Sequence, residues 1–162
     1  MASETRQSFL LELAERFGPL RKLAHTHSLY EVGEGLTRVY VRYSKVHPRN
    51  RTFFGLREQD LKQLEGFRSF ICFLWEGQTD PLWIPYSEYE EVFQTVSPAQ
   101  DGQYKVQIYL QEAGMEIYIA RVGRFNVEGH MGWAAIEALT GSDAREIVPM
   151  LTHPQMQTLL GR

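Results

Sequence analysis

Ser69-Phe70-Ile71-Cys72-Phe73-Leu74-Trp75 is the stretch on which the fold turns. A strand with one wet face alternates apolar and polar residues. Here both sets of alternate positions are apolar, as in a central strand covered on both sides. The run is strand-sized, far short of the ~20 residues of a membrane helix. Cys72, flanked by Ile71 and Phe73, reads as a small core residue. It is the single cysteine of 162 residues, so neither an internal disulfide nor a thiolate zinc site is available.

Working back from this strand, Leu56 to Leu64 predicts a helix with Leu61 and Leu64 inward and Gly66 as its stop. Thr52 to Gly55 is a short extended piece, and His47 to Arg51, with Pro48 and Asn50, is a turn. Leu36 to Val46 is the clearest strand, with Val39, Val41 and Tyr43 on a core face and Arg38, Tyr40, Arg42 and Ser44 on the opposite, open face. Gly33-Glu34-Gly35 is a turn and Ser28 to Val32 a strand. Residues 3–24 predict an amphipathic helix from Phe9, Leu10, Leu13, Phe17 and Leu20, broken or kinked at Gly18-Pro19.

Working forward, Leu82 to Pro85 is a short strand, and Ser87 caps a helix running to Phe93. Thr95 to Gln103 is a polar loop. Tyr104 to Leu110 and Met115 to Val122 form a hairpin around Glu112-Ala113-Gly114. Phe125 to Gly129 is irregular, and His130 to Leu139, Ser142 to Leu151 and Pro154 to Leu160 are helices. The expected architecture is a single domain over 1–162, α/β or α+β, with a mixed β-sheet flanked by helices. Its final helices, 134–162, complete the domain or connect it to a catalytic domain or partner.

Composition sets the class. Hydrophobic residues make up 43%, charged residues 23% and aromatics 12%, which excludes wholesale disorder. No basic, cleavable apolar leader opens the sequence, so the expected compartment is the cytoplasm, with no membrane partner. Net charge is −3, which argues against a globally basic nucleic-acid binder. The charge is nevertheless uneven. Between Thr37 and Arg57 lie Arg38, Arg42, Lys45, Arg49, Arg51 and Arg57 and no acid, with Tyr40, Tyr43, His47, Phe53 and Phe54 interleaved. Cations that replace counterions beside rings that stack on bases suit DNA. The predicted DNA-binding set is Arg38, Tyr40, Arg42, Ser44, Lys45, His47, Arg49, Arg51 and Arg57. The competing reading is a solvated edge strand with Arg38 and Arg42 paired to Glu31 or Glu34.

Other motifs are weaker. Asn126, His130 and Trp133, within Phe125 to Trp133, are candidate base or pocket contacts, Asn suiting adenine and Trp stacking. A tight connection with Trp133 in the core is the alternative. Trp75, Trp83 and Tyr86 read as core or pocket wall. His25-Thr26-His27 lacks the companions of a zinc site, Gly33-Glu34-Gly35 lacks those of a phosphate loop, and no Gly-X-Ser-X-Gly elbow occurs.

The run Val39 to Ser44, then Phe53-Phe54-Gly55-Leu56, a helix with Asp60-Leu61, Ser69 to Leu74, and Leu82-Trp83-Ile84-Pro85 resembles the restriction-endonuclease-like core, known for its Pro-Asp…(Asp/Glu)-X-Lys motif. The resemblance covers residues 28–94. It implies a strand carrying an acid and a lysine on one face, followed by a helix, an apolar strand and a short strand ending in Ile-Pro. The acid position falls on Tyr40 and the lysine position on Arg42. Glu31 or Glu34 stands where the first acid would be, and the literal triplet Asp60-Leu61-Lys62 falls on a helix. Tyrosine cannot replace a metal carboxylate, and arginine stays protonated. The resemblance therefore implies a relative that keeps DNA binding without catalysis, as a module of a bacterial restriction or genome-defence protein, with no cofactor and no metal site. An active endonuclease would instead need Mg²⁺. A protein-interaction or ligand-binding domain is the third class.

Overall fold

The computed structural model describes residues 2–33, 37–111, 114–134 and 136–137. Helix α1 (Ala2–Phe17) comes first. It stops where Gly18 takes φ +107°, with Pro19 next, and the chain passes straight into β1 (Leu20–Lys22). The expected helix to residue 24 is thus cut short at the Gly-Pro break. Strands β2 (Leu29–Val32) and β3 (Thr37–Ser44) follow antiparallel, then β4 (Phe54–Arg57) and helix α2 (Glu58–Lys62). Leu56 belongs to β4, so α2 starts later than expected. Strand β5 (Arg68–Trp75) lies parallel to β3, and β6 (Leu82–Pro85) antiparallel to β5. The sheet order is β1-β2-β3-β5-β6.

A parallel pair needs a crossover. Here the crossover holds α2 and also β4, which leaves the first sheet and founds a second. The chain then makes a 3₁₀ turn (Tyr86–Glu88) and helix α3 (Glu90–Gln94). The single helix expected from a Ser87 cap is therefore two pieces, and no side chain caps either start. Strands β7 (Gln103–Gln111), β8 (Gly114–Ile119) and β9 (Gly123–Asn126) complete an antiparallel sheet in the order β4-β7-β8-β9. The stretch from Phe125, expected to be irregular, begins inside β9. A 3₁₀ turn (Glu128–His130) follows, and helix resumes only at Trp133. The helices expected over 142–151 and 154–160 fall outside the described residues, as does the stretch 134–162 expected to complete or connect the domain, apart from 134, 136 and 137.

The protein is α+β, with a mixed five-stranded sheet between α1 and the antiparallel four-stranded sheet. Alternation along β5 divides the core. Phe70, Cys72 and Leu74 pack towards α1 with Phe9, Leu13, Val39, Val41 and Trp83. Ile71, Phe73 and Trp75 pack between the sheets with Tyr40, Phe54, Leu56, Val106, Ile108 and Ile117. Both faces of β5 are buried, as its sequence requires. Trp83 and Tyr86 are buried as well. Among the described residues no helix is long and apolar enough to cross a membrane.

Candidate nucleic-acid interface

Strand β3 does not present an open basic platform. Tyr40 is fully buried between the two sheets, and its hydroxyl accepts a hydrogen bond from the Arg57 backbone N–H at 3.1 Å. Burial drives that hydroxyl's pKa well above its ordinary value, against the pull of Arg42 and the Arg57 amide. Ser44 is buried too, its Oγ donating to Lys45 O at 2.6 Å and accepting from Phe53 N at 2.9 Å. Alternation places Tyr40 and Ser44 opposite Val39, as the sequence says, but the second sheet covers that face. The expectation of an open face at Tyr40 and Ser44 is corrected on that ground.

Arg38 is tied down. Its guanidinium donates to Glu31 Oε2 at 3.0 Å and to Gln63 O at 2.6 Å, and lies 3.6 Å over the Phe67 ring. Arg21 also bonds Glu31. Partial burial pushes the Glu31 carboxyl up, but hydrogen bonds from Arg21 and Arg38, with their charges, outweigh it and hold the group below its ordinary value. The competing reading, a cross-strand ion pair to Glu31, is what forms; Glu34 lies outside the described residues. Arg42 donates to Ser28 Oγ at 3.2 Å and sits 5.5 Å from the Tyr40 ring.

Lys45 stays at the end of the first sheet, between Ser44, whose O accepts from Glu76 N, and Val46, whose N donates to Glu76 Oε1; His47, Arg49 and Arg51 lie on the turn that joins the other sheet, and Arg57 ends β4. His47 and Arg51 exchange backbone hydrogen bonds of 2.7 and 3.3 Å around a turn in which Arg49 (φ +70°) and Asn50 (φ +55°) are both left-handed. Asn50 O accepts from Leu110 N at 3.2 Å, and Arg51 pairs with Tyr109 as an isolated bridge. Thr52, fully buried, accepts from Ile108 N at 2.8 Å and donates to Ile108 O at 3.1 Å through its Oγ1. This loop therefore prolongs the line of β4 along β7. Thr52, Phe54 and Leu56 point into the core, so Arg51, Phe53, Gly55 and Arg57 point outwards.

Register then assembles an outer face. Arg51, Tyr109, Glu116 and Asn126 stand in one cross-strand row, and Gln107, Tyr118 and Arg124 in the next, with Phe53 beside Gln107. Phe53 is 45% exposed, packs edge-on to His47 at 4.9 Å, and lies 5.7 Å from the Arg51 guanidinium. The Tyr109 and Tyr118 rings are 6.3 Å apart, and Arg124 sits 4.4 Å over Tyr109. Gln107 Oε1 is buried with no hydrogen-bond partner. Lys105 pairs with Asp101 at 2.7 Å and Arg124 with Glu116 at 3.3 Å. Lys45, Arg49, Arg51 and Arg57 make no ion pair among the described residues.

Of the three later candidates, only Asn126 joins this face, where its Oδ1 accepts from Glu128 N at 3.2 Å. His130 pairs with Glu88 at 3.4 Å. Trp133 stacks on Phe9 at 5.4 Å under the Arg16 guanidinium, in the α1 layer. Lys105, Gln107, Tyr109, Tyr118 and Arg124 were not singled out from sequence, although the alternation of Gln103 to Tyr109 against Tyr104 to Ile108 carries the signal. Asp60 is buried beside the Tyr40 hydroxyl. Among the described residues no group of three or more His, Cys, Asp or Glu side chains converges as a metal site. Comparison of the chain with protein-family models, with characterised proteins and with solved structures finds no significant match.

Proposed function

We propose that the chain is a DNA-binding module of a bacterial restriction or genome-defence protein, and that it grips DNA through the 45–53 loop and the outer face of the four-stranded sheet. The observation that carries this reading is Arg49 and Arg51, without carboxylate partners among the described residues, on the turn that leads into exposed Phe53, with the Arg51 guanidinium 5.7 Å from the Phe53 ring. Cations without a carboxylate partner reach phosphate at the cost of side-chain ordering alone, whereas Arg38 would also have to give up Glu31. The order β3, α2, apolar β5 and β6 ending at Ile84-Pro85 supports kinship with the restriction-endonuclease-like core, with β4 as an added excursion.

The test is a salt titration of binding to a DNA duplex with an unpaired tail. Each lost phosphate contact lowers the slope of log K against log [salt] by about 0.7 to 0.9. Arg49→Ala with Arg51→Ala should therefore lower it by about 1.4 to 1.8. An unchanged slope in the folded double variant refutes the reading, and Mg²⁺-dependent cleavage of the probe would replace it with the endonuclease.

A further inference from the structure

We infer that the outer face of the four-stranded sheet takes unpaired DNA, its bases laid on Phe53, Tyr118 and the Arg124–Tyr109 stack, in preference to duplex. This rests on the DNA-binding reading and goes one step further, to the form of DNA.

The argument is one of shape and of which groups would be left idle. Three strand spacings make the sheet about 14 Å wide before side chains are added, whereas a B-form major groove is about 12 Å wide and admits a helix or a two-stranded ribbon. A face four strands wide cannot enter it. Laid against the outside of a duplex, the face meets phosphates and sugars, because the π surfaces of paired bases are occupied by their neighbours in the stack. The cations would be used and the rings would not. Yet the rings are there: Phe53 is 45% exposed, and Tyr109 and Tyr118 stand on adjacent strands with centroids 6.3 Å apart. An unpaired strand offers both groups at once, phosphates to the flanking cations and open base faces to the rings.

The polar residues among the rings fit the same ligand. Gln107 stands in the row with Tyr118 and Arg124, and its Oε1 lacks a partner. A rotation of that amide offers either an acceptor or two donors to a base edge. The Arg124 guanidinium carbon lies over the Tyr109 ring, 4.4 Å from its centre, a pairing on which a further planar group can stack. Only Glu116 introduces an acid into these two rows, and Arg124 neutralises it.

The experiment compares a 5′-labelled single strand with a hairpin duplex of the same sequence, by anisotropy at fixed salt, for the wild type, Phe53→Ala, Tyr118→Ala and Tyr118→Phe. The single strand carries one 2-aminopurine, whose emission falls when it stacks. The wild type should bind the single strand at least tenfold more tightly and quench 2-aminopurine. Each alanine variant should lose about 5- to 100-fold for the single strand, with hairpin binding and salt slope unchanged. Tyr118→Phe, which keeps the ring, should bind as the wild type does. Equal or tighter hairpin binding, with alanine variants that match the wild type, overturns this inference while the Arg49/Arg51 slope effect keeps the DNA-binding reading alive. Failure of both probes to bind overturns both.

Discussion

Thr52→Val should detach the basic loop from the sheet at a cost that can be worked from its two hydrogen bonds. Valine matches threonine in shape, so the fully buried site is neither emptied nor overfilled. What is lost is the Oγ1 that accepts from Ile108 N at 2.8 Å and donates to Ile108 O at 3.1 Å. Ile108 is itself fully buried, so both backbone groups are left without a partner or water. One stranded polar group costs about 1–3 kcal/mol, so two together cost about 2–6 kcal/mol. Urea unfolding should show this as a lower midpoint with an unchanged m value. Thr52→Ser is the control, because it keeps the hydroxyl and gives up only a methyl group, about 1 kcal/mol. Amide exchange at Leu110, whose N–H is held by Asn50 O across the same junction, should accelerate in the valine variant alone. A valine variant within about 0.5 kcal/mol of wild type, or no worse than the serine variant, would refute the claim that this hydroxyl docks the loop.

Phe73→Ala should cost about 3–5 kcal/mol in the same assay, since Phe73 is fully buried and meets Phe54 edge-on at 4.7 Å across the two sheets; a midpoint unchanged within error would remove β5 from the core. Glu31 should contribute an acid-sensitive share of stability: its folded-state pKa is depressed, so its stabilisation is present above the ordinary carboxylate value and lost as pH falls through the lower, folded one. Glu31→Gln should therefore flatten the decline of stability on acidification below the ordinary carboxylate range, and a variant with the wild-type pH dependence would show that Arg21 and Arg38 do not hold the carboxylate as described.

The elements legible in the sequence are those whose two faces differ in kind, or agree completely. Strand β5 is readable because no polar residue interrupts either face, and β3 because Val39 and Val41 alternate with charged and hydroxylic neighbours. Alternation also placed Tyr40 correctly, opposite the valines. It could not say whether a second layer covers that side. The sign that one does was present elsewhere, in the two-sided apolarity of β5, which lies parallel beside β3 and must share its layers. The basic window divides for a different reason. Charge density along a chain is local in sequence, but between Lys45 and Thr52 this chain leaves one sheet and joins another. Arg38 and Arg42 are thereby separated from Arg49, Arg51 and Arg57, although few residues intervene. Strand β9 escaped notice because Gly123-Arg124-Phe125-Asn126 is too short and mixed to show a period, and its pairing with β8 does the work that propensity does not.

That division between sheets also explains what the polar residues of β3 accomplish. Around β3 and β5 the five-stranded sheet buries both faces in apolar packing, so Arg38 and Arg42 can act on a ligand only by leaving partners they already have. The four-stranded sheet buries one face and keeps the other. The line from Arg51 to Arg57 borders this open face, and it is held from beneath near both ends: the Ser44 Oγ accepts from Phe53 N, and the Tyr40 hydroxyl accepts from Arg57 N. Two hydroxyls of β3 thus satisfy backbone donors of the outward-facing segment, which fixes the side to which Arg51, Phe53 and Arg57 turn. Tyr40 and Ser44, which read in the sequence as contact residues, hold the backbone of that segment. On the proposed DNA-binding reading their removal should act through the placement of Phe53 and Arg57, and Tyr40→Phe, which fills the same volume without the acceptor, separates that placement from packing.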